Sequence, residues 1–276
     1  MGTLPRSFGQ GAQGSAAPRP SDALPLETGT EAAGTLVILP TYREADNIVQ
    51  AIERVRRSVP GAAILVVDDD GGDGTAELAQ EAGRRLGAVE VLRRPGKAGL
   101  ASAYRSGLTW ALDHGFDVIV GMDADLSHDA TALPRLLSVL AEGADVVVGS
   151  RYVRGGSSVA WPLGRRALSR WGNWYAAHLL GSHVGDLTSA FRVYRASVLR
   201  GVDFGAIRAG GYGFLIELAY MLERSGARFA EVPVQFINRV AGRSKMSLRI
   251  ALESLRVVTA MGLTARWERW RGRRPT

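Results

Sequence analysis

Four short runs of mostly branched apolar residues, Leu36-Val37-Ile38-Leu39, Ile64-Leu65-Val66-Val67, Val118-Ile119-Val120 and Val146-Val147-Val148, set the strongest limit on how this chain can fold. Each run is bounded by polar residues or glycine, as buried parallel strands tend to be. Between them lie longer stretches with helical character, Ala45 to Val59, Thr75 to Leu86, Ala98 to Asp113 and Ala130 to Ala141. Strand and helix alternate, which predicts an α/β fold with a mostly parallel sheet. Ligands of such sheets bind beyond the carboxyl ends of the strands, so chemistry is sought in the residues just after each run.

A chain of 276 residues that is 46% hydrophobic suits one large α/β domain better than two small ones. The formal charge of +7 and pI near 10.2 point to anionic partners, whether nucleic acid, lipid head groups or phosphorylated substrates. No cysteine is present, so disulfides, thiolate metal sites and cysteine nucleophiles are excluded, and a cytoplasmic address is the simplest expectation. Residues 1–33 are rich in Gly, Ala, Ser and Pro without an apolar core behind a basic start, and read as a disordered tail rather than a signal peptide. The most apolar late stretch, Met246 to Ala265, is interrupted by Arg249, Glu253 and Arg256. A span needs roughly 20 mostly apolar residues, so no transmembrane helix is expected.

The positions after the strands are acidic: Asp68-Asp69-Asp70 follows the second run and Asp123-Ala124-Asp125 the third. Carboxylates gathered at one edge repel each other and lose solvation, a cost that a bound divalent cation offsets, and Mg²⁺ and Mn²⁺ prefer oxygen ligands. Side chains at i and i+2 of an extended segment point the same way, so Asp123 and Asp125 reach one ion if the strand geometry persists that far. Taken alone an Asp-x-Asp is weak evidence, because solvated loop aspartates and helix caps are commoner.

The surrounding segments add to it. They are Leu39-Pro40-Thr41-Tyr42-Arg43-Glu44-Ala45-Asp46-Asn47, Val66-Val67-Asp68-Asp69 with Asp73-Gly74-Thr75, Met122-Asp123-Ala124-Asp125-Leu126-Ser127-His128, Gly149-Ser150-Arg151-Tyr152, Asp186-Leu187-Thr188-Ser189-Ala190-Phe191-Arg192, and Asn238-Arg239-Val240-Ala241-Gly242-Arg243-Ser244-Lys245. From about Thr35 to Ser247 the chain resembles the dolichol-phosphate or polyprenol-phosphate mannose synthases of the inverting glycosyltransferase family 2. The first three motifs are common to many nucleotide-sugar transferases; the Ser-His after the Asp-x-Asp, the Asp186 to Arg192 run and the late Arg-to-Ser-Lys segment are more particular.

The resemblance implies a GT-A fold and transfer of mannose from GDP-mannose to polyprenyl phosphate with inversion. It places Pro40, Tyr42, Glu44, Val66 and Asp68 around the nucleoside, Asp123 and Asp125 on the metal, Mg²⁺ or Mn²⁺, and the backbone of Ala124 beside them. Arg239 and Lys245 would grip the donor phosphates from a flexible loop, while Arg151, Arg165 and Ser169 match positions that contact the acceptor phosphate. Arg offers a fork matched to phosphate oxygens and Lys a mobile point charge, which suits a closing clamp. A phosphate nucleophile arrives largely deprotonated, so Asp125 rather than any histidine is the expected catalytic side chain, with His128 as structural support.

The resemblance divides the chain into a tail (1–33), a catalytic domain (34–246) and a C-terminal amphipathic basic helix (247–276). Arg151 to Ser182 carries Arg151, Arg154, Arg165, Arg166 and Arg170 with Trp161, Trp171, Trp174 and Tyr175 and no acid. That mixture suits peripheral contact with a membrane at its cytoplasmic face, and equally a basic helix with its aromatic face in the core. The late helix is expected either at a membrane surface, docked on the domain, or against a membrane-anchoring partner protein.

Two features depart from the family pattern: Asp70-Gly71-Gly72 stands where a Gly or Asn followed by Ser-Pro is usual, and Asp129-Ala130 where a Pro often follows Ser-His. The extra carboxylate and the glycines put the nucleoside pocket and the positioning of Asp68 in question. Ser127 is not expected as a metal ligand. Alternative readings are a polyprenyl-phosphate glucosyltransferase using UDP-glucose, and a non-catalytic module binding anionic lipid or nucleic acid. The acidic cluster disfavours nucleic acid as a partner.

Overall fold

A computed structural model describes residues 34–159, 161–237, 255–264 and 267. Its centre is a seven-stranded sheet in the order β3-β2-β1-β4-β7-β5-β8. The strands are β1 (Thr35–Thr41), β2 (Ala63–Asp68), β3 (Val89–Arg93), β4 (Val118–Gly121), β5 (Val146–Ser150), β7 (Arg192–Arg195) and β8 (Phe229–Pro233). A two-stranded ribbon pairs β6 (Ser157–Ser158) with β9 (Gln235–Phe236) in parallel. All pairings in the main sheet are parallel except those of β7, which lies antiparallel between β4 and β5.

The four apolar runs form β1, β2, β4 and β5, and alternation of side chains divides them between two cores. On one face Leu36, Ile38, Leu65 and Val67 pack under α3 (Leu100–Asp113) and α7 (Gly213–Arg224). On the other Val37, Leu39, Ile64 and Val66 pack under α1 (Ile48–Ser58), α2 (Thr75–Leu86) and α4 (Leu133–Ala141). Parallel strands covered on both sides must be apolar at every position, which is why these runs lack the polar alternation of a half-exposed strand. The helix starts move inward from the expected ones: Ala45 and Asp46 precede the helix, and Ala130–Ala132 form a separate 3₁₀ turn capped by Asp129, whose side chain accepts from Thr131 N at 3.0 Å.

The sheet's second half is tied by a buried ion pair. Arg151, just past β5, donates from Nε to Asp186 Oδ2 at 2.7 Å and from an Nη to Asp186 Oδ1 at 2.6 Å. The same guanidinium reaches Thr188 Oγ1 at 2.7 Å, and Asn173 on α5 (Leu163–Leu180) donates to that oxygen at 3.0 Å. Glu231 on β8 accepts from Gly185 N and Asp186 N, at 2.8 and 3.1 Å. The end of β5, the Gly185–Thr188 segment, α5 and β8, distant in sequence, are thus joined around the Arg151–Asp186 pair. Burial alone would raise the Asp186 carboxyl, but the charge and hydrogen bonds of Arg151 outweigh it and hold the group below the ordinary carboxylate range.

Of the late helix, residues 255–264 and 267 are described; the tail (1–33) and the rest of 247–276 lie outside the described residues. The segment 255–264 is helical and docks on α5: Val258 is buried, and Tyr175 and Thr259 hydroxyls are 3.0 Å apart. Gly262 faces Leu179, where a β-carbon would collide. Among the described residues no helix is long and apolar enough to cross a membrane.

Removing Asp186 leaves the buried Arg151 charge unpaired, so Asp186→Ala is expected to cost about 3–5 kcal/mol in denaturant unfolding. Because the folded carboxyl titrates below its unfolded value of ~3.9, its contribution is complete above that pH and is lost as pH falls through the folded pKa. Wild-type stability should therefore drop steeply below about pH 4, with a smaller acid drop in the variant.

Candidate active site

The carboxyl ends of β1, β2 and β4 open into one cleft, at the point where the strand order reverses on either side of β1. At the end of β1, Thr41 Oγ1 donates to Asp68 Oδ1 at 2.8 Å, bridging β1 to β2. Burial raises the Asp68 carboxyl above its ordinary value; the Thr41 bond pulls the other way, and nearby Asp73 and Asp70 push up again. The next residues turn sharply: Arg43 has φ 56° and Asp70 φ 44°. Arg43 Nε donates to Gly71 O at 3.1 Å, and a β-carbon at Gly71 would lie 2.5 Å from Arg43 Cγ and 2.8 Å from its amide nitrogen. Gly71 is there for the close approach of two loops. Asp73 pins the loop further, accepting from Ala45 N at 3.1 Å and from Thr75 Oγ1 at 2.7 Å. Asp70 itself is exposed.

Asp69 faces the other way and builds the opposite wall. One of its oxygens accepts from Ala98 N at 3.0 Å and Gly99 N at 3.1 Å, at the amino end of α3, where the helix dipole favours a carboxylate. Arg94 Nη1 approaches the other oxygen at 3.1 Å, an ion contact lacking hydrogen-bond alignment.

The Asp-Ala-Asp loop is closed on itself. β4 ends at Gly121, so extended geometry does not carry Asp123 and Asp125 to one side; the loop does. Asp123 N donates to His128 Nδ1 at 3.0 Å, which places the neutral ring's proton on Nε2. The ring stacks on Phe191 with centroids 5.1 Å apart and meets Phe236 edge-on at 5.3 Å. Asp125 Oδ1 accepts from Ser127 N at 3.1 Å and Ser127 Oγ at 2.5 Å. Between them Leu126 is buried at φ 62°, a left-handed conformation costing about 1–3 kcal/mol in a non-glycine residue. Ser127 is engaged with Asp125, and His128 is the loop's brace.

The cleft is a cavity of about 260 Å³. Of the residues singled out from sequence, Pro40, Tyr42, Glu44, Asp123, Ala124 and Asp125 line it together. Val66 does not: its side chain is wholly buried in the core beneath α1 and α2. Asp68 lies below the wall as the support of Thr41. Arg239 and Lys245 lie outside the described residues. Arg151, Arg165 and Ser169 fall in a second group at the end of β5 and the start of α5. Arg165 covers the Trp161 ring at 4.0 Å, and Ser169 Oγ shares a 2.6 Å hydrogen bond with Tyr152 OH. The cleft also includes Asp69, named from sequence only as part of the acidic run, and Lys97, Gly210, Gly211 and Tyr212, which sequence reasoning passed over. Lys97 Nζ sits 4.6 Å from the centroid of the Tyr42 ring, a cation–π contact at the cleft wall. Its signal was positional: it lies just after β3, a strand whose half-exposed residues hid it.

Among the described residues no group of three or more His, Cys, Asp or Glu side chains is arranged as a metal cage. The donor set of Asp123 and Asp125 fits a cation that completes its shell with substrate oxygens and water, the usual habit of Mg²⁺ and Mn²⁺ at phosphate sites.

Known proteins agree with this arrangement. The model of glycosyl transferase family 2 matches residues 36–202. Over 238 residues the chain is 44% identical to undecaprenyl-phosphate mannosyltransferase from Micrococcus luteus, covering 86% of this chain and 98% of that protein. It is 43% identical over 239 residues to polyprenol monophosphomannose synthase from Mycolicibacterium smegmatis, covering 86% and 90%. Among solved structures, glucosyl-3-phosphoglycerate synthase from Mycobacterium tuberculosis, in complex with Mn²⁺ and UDP-glucose, superposes with a TM-score of 0.60 at 23% identity, over 84% of this chain and 78% of that one. The sheet, with its one antiparallel strand beside the Asp-Ala-Asp loop, is a GT-A fold, and the chain belongs to glycosyl transferase family 2, among the polyprenyl-phosphate mannosyltransferases.

Proposed function

We propose that this enzyme transfers mannose from GDP-mannose to the phosphate of a polyprenyl phosphate with inversion, forming a lipid-linked β-mannosyl phosphate. The observation that carries this reading is Asp123-Ala124-Asp125 in the cleft wall of a chain so similar, along nearly its whole length, to enzymes named for mannose and polyprenyl phosphate.

In this reading Pro40, Tyr42 and Glu44 border the nucleoside, with Asp68 supporting Thr41 from beneath and Val66 supplying the rigid strand below. Asp123 and Asp125 hold a divalent cation, Mg²⁺ or Mn²⁺, beside the backbone of Ala124. Such a cation neutralises the donor diphosphate and stabilises the charge that develops as it leaves. His128 holds the backbone of Asp123 and Ser127 the carboxylate of Asp125 beforehand, so little reorganisation of the loop remains at the moment of reaction. Arg239 and Lys245 grip the donor phosphates. Arg165 and Ser169 receive the acceptor phosphate, with Arg151 as a fixed positive charge behind them, held by Asp186. The acceptor oxygen then attacks the anomeric carbon from the face opposite the leaving diphosphate.

The acceptor's chain calls for contact with a membrane, here its cytoplasmic face, and α5 offers the surface. Leu163, Leu168, Trp171 and Trp174 are exposed on it, Trp174 by 61%, with exposed Arg166 and Arg170 alongside. Leu263 and Trp267 are exposed on the neighbouring late segment. Indole rings settle at the boundary of polar and apolar layers while arginines meet anionic head groups. A membrane-anchoring partner would use the same face.

Radiolabelled mannose supplied as GDP-mannose should enter organic-extractable polyprenyl phosphate. EDTA should abolish the transfer, and Asp125→Ala should lower it at least about 100-fold. Labelling from UDP-glucose alone would replace the donor assignment, and labelling from neither would point to a binding module.

Replacing both Trp171 and Trp174 with Ala should weaken sedimentation with anionic phospholipid vesicles by about tenfold or more, equivalent to ~1.4 kcal/mol. Unchanged sedimentation would remove α5 from the membrane contact.

A further inference from the structure

One buried polar group near the cleft has no partner. Tyr104, on the sheet-facing side of α3, is 3% exposed, and its hydroxyl makes no hydrogen bond. Leaving a buried hydroxyl unpaired costs free energy, and a phenylalanine would fill the same space without that cost. Gly121, the last residue of β4 and two before Asp123, makes room for the ring. A β-carbon at Gly121 would lie 2.9 Å from Tyr104 Cε1, 3.0 Å from Ala190 O and 3.5 Å from the Tyr104 hydroxyl. The hydroxyl therefore lies against the root of the Asp-Ala-Asp loop.

Burial is the main influence on this phenol and pushes it up, and Asp123, Tyr194, Tyr212 and Arg192 are among the charged or titratable groups that act on it. Arg192, the partner of Gly121 in the β4–β7 pairing, is wholly buried and donates to Leu215 O at 2.9 Å and Leu187 O at 2.5 Å. A guanidinium has only donors and offers nothing to a hydroxyl proton. Of these four groups Asp123 is the one carboxylate.

We propose that Tyr104 is a positioning residue for Asp123, its hydroxyl donating to the Asp123 carboxylate when that carboxylate holds the divalent cation. The inference rests on the reading of Asp123 and Asp125 as the cation's carboxylates. Aligning the ligand of a bound cation gives this buried hydroxyl a use, as hydrogen bonds behind metal ligands do elsewhere.

Tyr104→Phe removes the hydroxyl alone, and the test uses the full chain. Thermal unfolding of the metal-free protein in EDTA should show a midpoint at or above that of the wild type. Mn²⁺ binding in the presence of GDP, followed by electron paramagnetic resonance after EDTA is removed, should weaken about tenfold, and mannose transfer should recover at correspondingly higher Mn²⁺. Asp125→Ala is the control that loses Mn²⁺ binding. Wild-type Mn²⁺ affinity in Tyr104→Phe overturns the proposal, and so does a lowered unfolding midpoint, which makes the hydroxyl part of the packing. Mn²⁺ binding that survives Asp125→Ala overturns the cation assignment itself, and this role with it.

Discussion

Repulsion among carboxylates crowded at one edge of a sheet is the constraint around which this cleft is built. Asp68, Asp69, Asp73, Asp123 and Asp125 all fall at the carboxyl ends of β2 and β4 or in the loops just beyond. The fold meets the constraint by giving several of these oxygens donors from a different segment, and each donor fixes a different wall. Thr41 joins Asp68 to β1, the amides of Ala98 and Gly99 join Asp69 to α3, and Ala45 with Thr75 joins Asp73 to the starts of α1 and α2. Ser127 satisfies Asp125 from within its own loop. A cluster that would be costly unpaired becomes the set of ties that shapes the cavity, and hydrogen bonds to ionised groups are the stronger kind.

The half around β5 and α5 applies the same device with the signs exchanged. A buried arginine would be as costly as a buried carboxylate, and Arg151 is made tolerable by Asp186, whose carboxylate also accepts from the Arg151 amide, while Glu231 receives the amides of Gly185 and Asp186. The rings of Tyr152, Trp161 and Phe236 lie 5.1–5.6 Å from the same guanidinium and exclude water from it. Phe236 also meets the His128 ring, so the aromatic group around Arg151 touches the brace of the Asp-Ala-Asp loop. The two halves are mechanically continuous.

How much of this was legible in the sequence follows from which forces act locally. β1, β2, β4 and β5 were plain because burial on both faces demands unbroken branched apolar runs. β3 was not, since Val89-Glu90-Val91-Leu92-Arg93 lies half-exposed at the sheet's edge and carries charge. β7 was hidden for another reason: Arg192-Val193-Tyr194-Arg195 is short, its first arginine is wholly buried on backbone carbonyls, and its antiparallel insertion depends on strands far away in sequence. In the site, the spacing of Asp123 and Asp125 was informative but the expected cause differed, because a left-handed Leu126 and the His128 brace orient the loop where strand geometry was expected to. Arg151 was visible as a cation, whereas Asp186, 35 residues later, is a partner that only the fold reveals.

Among the described residues no histidine lines the cleft. All four histidines lie within the described residues. His114 is stacked on Trp110 and His178 on Trp174, His183 lies beyond α5, and His128 has Nδ1 committed to the Asp123 amide. A transferase acting on a sugar or protein hydroxyl needs a base to remove the attacking proton. A phosphate acceptor is already ionised near neutral pH, and what it lacks is a place beside an equally anionic donor. Bringing two phosphate-bearing molecules together is a problem of charge neutralisation and alignment. In the proposed reading, a carboxylate pair that would hold a cation, its loop joined through Phe236 to a fixed buried arginine, answers that problem without a proton acceptor.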